Sequence, residues 1–246
     1  MVNSVTQNPQ SLQARIIQGS VVLLSGSGLT MAINLAYNIA IARFLGPKGF
    51  GHATVVYTIL TLLSAVTLAF QIVSTKVVAQ QPTPQGRSAV YRFFHRGSWI
   101  CGIIVALGLI AFEGPVADYL NLPDVSLVAL IAIGAAFYVP LGARRGYIQG
   151  ACGFRGLAVN MVLEQAVRLG GSLFFIYIGS GVHGVIIANS AAIAVAYYAV
   201  RVKTTGRMAN PLESGYIIRE TGQAPTAYRR GARGHGAARS SPSRRR

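Results

Sequence analysis

The chain is poor in charge: 11% of its 246 residues are Asp, Glu, Lys or Arg, and 6 are acidic. A soluble domain carries roughly 25% charged residues, so this inventory cannot clothe a water-facing surface and a soluble globular fold is excluded. Cysteine is scarce too. Cys101 and Cys152 form no CxxC pair and no metal-ligand spacing, which argues against a disulfide scaffold and leaves both as small apolar filler. The four histidines (His52, His95, His183, His235) are scattered, and no HExxH, GxSxG or GxxxxGK[ST] pattern occurs. These patterns mark zinc metalloproteases, α/β-hydrolase serine nucleophiles and P-loop nucleotide binders. The sequence therefore supports no catalytic role, metal or cofactor.

What is abundant is apolar side chain, 52% of the total. It falls in runs of about 15 to 25 residues separated by short polar gaps, the pattern of an all-α, polytopic transmembrane bundle. Six spans are expected, at residues 16–42, 53–73, 98–112, 127–141, 157–178 and 184–200. The third and fourth are short for a hydrocarbon core of about 30 Å, so their helices must continue into flanking residues. Trp99 and Tyr138 suit such interfacial ends. The first span is too long for a secretory signal and ends in no cleavage pattern, so it reads as a retained helix.

Charge orients these spans. The even-numbered loops hold seven Lys or Arg (Lys76, Arg87, Arg92, Arg96, Arg144, Arg145, Arg155), and the odd-numbered loops two, Arg43 and Lys48. Glu113, Asp118 and Asp124 lie together in the third loop. The positive-inside rule then places both termini in the cytoplasm. Three regions follow: a cytoplasmic segment 1–15, a six-helix membrane bundle 16–200, and a basic tail 201–246 whose composition predicts disorder. The formal charge of +16 divides into +7 through residue 200 (11 basic, 4 acidic) and +9 beyond it (11 basic, 2 acidic). Membrane orientation accounts for the first share, so the basic balance points to a lipid bilayer rather than a nucleic acid.

The chemistry-bearing residues lie inside the spans. Ser27, Thr30, Asn34 and Asn38 share one face of the first helix. They serve either as hydrogen-bonding glue between helices or as the lining of a hydrated cavity. Glu164 and Arg168 stand four residues apart in the fifth span, so their side chains can meet. A charge at bilayer depth costs roughly 2.5–3.5 kcal/mol even on lenient scales, so this pair must face the bundle interior. It is either a structural ion pair or a cationic site where Glu164 positions Arg168 for an anionic substrate, since guanidinium donors match phosphate oxygens. Arg15, Arg43, Lys48 and Lys76 at helix ends are further candidate cations, with topology signals as the alternative.

Three segments carry a family resemblance: ARFLGPKGFG at 42–51, ADYLNLPD at 117–124, and RGYIQGACGF at 145–154 followed by the helix with Glu164 and Arg168. In order and spacing they resemble the oligosaccharide flippase (polysaccharide biosynthesis and export) family of the multidrug/oligosaccharidyl-lipid/polysaccharide exporter superfamily. The resemblance covers roughly residues 10–205. It implies a multi-pass transporter of undecaprenyl-pyrophosphate-linked glycans in the bacterial inner membrane, working by alternating access around a cationic cavity. Arg168, Glu164, Asn34, Asn38 and Arg15 are its candidate substrate-binding residues. A drug/cation antiporter of the same superfamily is the alternative, and a non-transporting remnant or scaffold a third reading. Members of the family have about twice as many helices as are expected here. A homodimer, a partner chain with a second helical bundle, or a truncated product would each account for this, and the Arg-, Gly-, Ala- and Pro-rich tail is suggestive of out-of-frame translation.

Overall fold

The computed structural model describes residues 9–200, with side chains from residue 17 onward; residues 1–8 and the tail 201–246, read above as disordered, lie outside them. Six helices follow in order: α1 (Pro9–Gln80), α2 (Pro84–Ala111), α3 (Glu113–Tyr119), α4 (Ser126–Gly150), α5 (Phe154–Tyr177) and α6 (Gly181–Ala199). No strand occurs among the described residues.

α1 covers both of the first two expected spans. Its helical run of 72 residues is broken at Gly46, with φ 68° and ψ −179°, and Pro47 follows. Positive φ with extended ψ is open to glycine almost alone, and proline suits the first turn of the next helix because it needs no N–H partner there. The two legs double back. Gly19 on the first leg lies against Phe154 at the start of α5, and Val78 on the second lies against Gly150 at the end of α4. Near the break, Tyr37, Ile41 and Ala53 from the two legs share one apolar cluster with Val185. With α2, α4, α5 and α6 the two legs make six membrane-length helical segments, as expected.

The helices outrun the apolar stretches at several ends. α2 begins 14 residues before the third expected span, at Pro84, preceded by Thr83, whose side chain accepts the Gly86 amide at 3.1 Å. That is an N-cap signal, independent of hydropathy. α4 runs to Gly150, so the "loop" containing Arg144 and Arg145 is largely helical. The acidic third loop contains the short helix α3, with Glu113 in its first turn, a favourable place for an anion.

α4 packs against the second leg of α1, α2 and α6. Its small residues Gly142, Gly146 and Gly150 recur every fourth position and meet the backbone of Thr67, Gln71 and Thr75. Ser74 adds a hydrogen bond to the Ala143 carbonyl, and Thr75 one to the Gly146 carbonyl. Small residues let membrane helices approach closely where no hydrophobic force drives them together. Leu127, Ile131, Leu141, Ile186 and Ile193 fill the space between α4 and α6 with Val56 and Leu60. Large apolar side chains also point outward, among them Leu24, Met31, Leu35, Ile104, Leu107 and Phe174. That distribution fits lipid and not water.

By length and composition α1, α2, α4 and α6 are apolar enough to cross a membrane. α5 is long enough but carries Glu164 and Arg168, which are buried, while Val159 and Phe174 on other faces are exposed. The chain is a multi-pass helical membrane protein with Glu164 and Arg168 of α5 turned inward.

Candidate functional site

A cavity of about 220 Å³ opens in the middle of the bundle. Both legs of α1 line it through Thr30, Tyr57, Thr61 and Ser64; α4 contributes Tyr138 and Arg145; α5 contributes Glu164, Gln165 and Arg168. Glu164 lies about 15 Å along α5 at 1.5 Å per residue, far from either helix end.

Glu164 bridges two guanidinium groups. Its Oε1 accepts from Arg168 Nη2 at 3.3 Å on the same helix, and its Oε2 from Arg145 Nη2 at 2.5 Å on α4. The i, i+4 contact expected from sequence is present; the second arginine was read there as a loop cation. All three are sequestered, with side chains 11%, 5% and 4% exposed for Arg145, Glu164 and Arg168. Two positive charges share one negative, so the cluster holds a net +1 in a place where charge is costly.

Each arginine also has an anchor of its own. Asn160, one turn before Glu164, accepts from Arg145 Nε at 2.8 Å and donates to the Ala196 carbonyl of α6 at 2.7 Å. Arg168 Nη1 donates to Gln165 Oε1 at 3.3 Å, and its Cζ lies 5.2 Å from the Tyr57 ring and 6.0 Å from that of Tyr37. Tyr37 OH in turn accepts from the buried Asn189 at 3.2 Å. Arg168 Nε is buried with no hydrogen-bond partner among the described residues. A guanidinium carries five N–H donors, so the cluster retains capacity to donate.

The remaining candidates are placed less centrally. Thr30 of the polar stripe reaches the cavity, but Asn34 does not line it. Asn38 donates to the Asn34 carbonyl at 2.8 Å within its own helix and borders a separate space of about 10 Å³ with Tyr37, Thr54 and Tyr57, room for about one water. Arg15 is helical in backbone, and its side chain lies outside those described. Tyr138, suggested as an interfacial anchor, instead lines the cavity. Tyr37, Tyr57, Arg145 and Asn160 were not identified from sequence. Among the described residues no group of three or more His, Cys, Asp or Glu is placed to hold a metal ion.

At the break end of the bundle, Asp124 meets His183 Nε2 at 3.0 Å, tying the start of α4 to the start of α6. Its carboxyl is held below the usual carboxylate range by the Ser126 backbone amide, then by the Ser126 hydroxyl and His183.

Stage V sporulation protein B of Bacillus subtilis (strain 168) is 27% identical over 161 residues, covering 62% of this chain and 31% of the relative. A MOP superfamily transporter from Pyrococcus furiosus superposes with TM-score 0.70 at 18% identity, covering 85% of this chain and 50% of that one. The outward-facing structure of a multidrug resistance MATE family transporter gives 0.67 at 18% identity, covering 76% and 43%. The chain thus spans about half the length of these transporters and a third of the curated relative, and at such identities the structural likeness establishes the fold. Residues 16–217 match the family described as polysaccharide biosynthesis protein, and the chain belongs to that family.

Proposed function

We propose that this chain is the N-terminal bundle of a flippase that moves lipid-linked oligosaccharides across the bacterial inner membrane, with both termini cytoplasmic. The observation that carries this reading is the pair of buried guanidiniums, Arg145 and Arg168, lining one cavity with a single carboxylate between them. A lipid pyrophosphate is the anion this site suits: guanidinium forks match phosphoryl oxygens, and Thr30, Thr61, Ser64 and Gln165 surround them with further polar groups. A drug cation suits it poorly, because the cluster is net positive and its one carboxylate is engaged on both oxygens. The orientation agrees with the cations Lys76, Arg87, Arg92, Arg144 and Arg155 near the end where α1 meets α2 and α4 meets α5. A second bundle, from another copy or a partner chain, supplies the opposite wall, since alternating access needs two bodies to rock against each other.

The test is chromosomal Arg168→Ala in the native host, with lipid-linked glycan assayed on each side of the membrane. Losing a charge-assisted contact worth roughly 1.5–3 kcal/mol should lower substrate affinity about 10- to 100-fold. Surface glycan should fall and the cytoplasmic lipid-linked form accumulate. Unaltered glycan export, or a loss of drug tolerance without a glycan defect, would overturn the proposal.

A further inference from the structure

We infer that Glu164 is a built-in competitor: its carboxylate occupies the two arginines until a stronger anion displaces it, and so sets how anionic a ligand must be to bind. This rests on reading the cavity as an anion site, and it assigns Glu164 a role different from that of positioning Arg168. The decisive point is that neither guanidinium depends on Glu164 for its place. Arg145 is fixed through Nε to Asn160, which is itself fixed to the Ala196 carbonyl. Arg168 is held by Gln165 and lies over the Tyr57 ring. Remove the carboxylate and both forks stay aimed at the cavity.

Glu164, by contrast, spends one oxygen on each arginine and has no other hydrogen bond among the described residues. Its side chain lines the same cavity that an incoming ligand must enter. The groups around it are Tyr138 and Arg145 from α4, Arg168 and Gln165 from α5, and Tyr57 from α1, while α6 presents Ile193. Among the described residues no second acid lines the cavity. A ligand carboxylate therefore gains nothing over the resident one, replacing like with like. A pyrophosphate carries more charge and more acceptor oxygens, and can engage both forks at once.

The full chain is reconstituted in nanodiscs of phosphatidylcholine alone and titrated calorimetrically with geranyl pyrophosphate, geranic acid and geraniol. Wild type should bind the pyrophosphate and neither of the others measurably. Glu164→Gln should bind the pyrophosphate at least tenfold more tightly and gain measurable affinity for the carboxylate. Glu164→Asp keeps the charge but is too short to span both forks, and should show a smaller gain; it carries the test if the Gln variant does not fold. Equal or weaker pyrophosphate binding in both folded variants would overturn the competitor role while leaving the anion site standing. Failure of wild type to prefer geranyl pyrophosphate over geraniol would overturn both.

Discussion

Arg144 and Tyr197 are joined twice: the guanidinium carbon lies 3.6 Å from the centre of the tyrosine ring, and Nη1 donates to the same residue's carbonyl. A second bond from Nη1 reaches the Val200 carbonyl at 3.3 Å. The last carbonyls of a helix have no partner within it and carry a partial negative charge, so an arginine of α4 completes the end of α6. Around it, Tyr197 OH, His95 and Trp99 form a hydrogen-bonded aromatic cluster with α2. Arg144 and Arg145 are neighbours in sequence with different tasks, one closing a helix end and the other facing the cavity.

Arg144→Ala should therefore destabilise the bundle by about 2–3 kcal/mol, from the lost charge-assisted bond and cation–π contact. Arg144→Lys, which keeps the charge without the planar fork, should recover part of this. Thermal unfolding in detergent followed by circular dichroism measures both, and an unchanged melting temperature for the alanine variant would refute the capping role.

The contact between α4 and the second leg of α1 should be intolerant of a single methyl group. A Cβ on Gly146 would stand 2.5 Å from the Gln71 carbonyl oxygen. Gly146→Ala should cost about 1–3 kcal/mol by overpacking. Gly108 in α2, where a Cβ meets nothing within 4 Å, is the control: Gly108→Ala should be neutral or stabilise by up to about 1 kcal/mol. Equal unfolding curves for the two variants would contradict the close approach.

Asp124 gives the break end a pH dependence. Its carboxyl is held below the ordinary value of 3.8, first by the Ser126 amide. A depressed folded-state value means the stabilisation is present above the ordinary carboxylate range and is lost as pH falls through the depressed one. Amide exchange at the start of α4 should thus be slower in wild type than in Asp124→Asn near pH 6, with the difference shrinking below about pH 4. Because Asp124 is exposed, the effect is modest and local. A difference that grows on acidification would show the wrong sign.

How much of this was legible in sequence differs by scale. The six membrane-length segments were readable because apolar runs of this length have few other uses. The Glu164–Arg168 contact was readable because an i, i+4 spacing fixes a shared helix face. Arg145 was not, because hydropathy marks where the apolar run of α4 ends, at about Leu141, and the helix continues to Gly150. Its partner is 19 residues away on another helix, and such a contact leaves no local periodicity. The same limit hid Tyr57 and Asn160. Asn34 and Asn38 share the face of Thr30, yet only Thr30 reaches the central cavity, because the face of a leg spans more length than the cavity occupies.

The break at Gly46 governs more than local shape. Uninterrupted, 72 residues at 1.5 Å each would form a rod of about 110 Å, more than three hydrocarbon thicknesses. A rod of that length could not lie within a single crossing of the bilayer. A side chain at Gly46 would have open space around it, so the demand there is purely torsional. The parity of the whole chain, whether α2 and everything after it starts on the side where α1 began, thus turns on the rotation of one peptide unit.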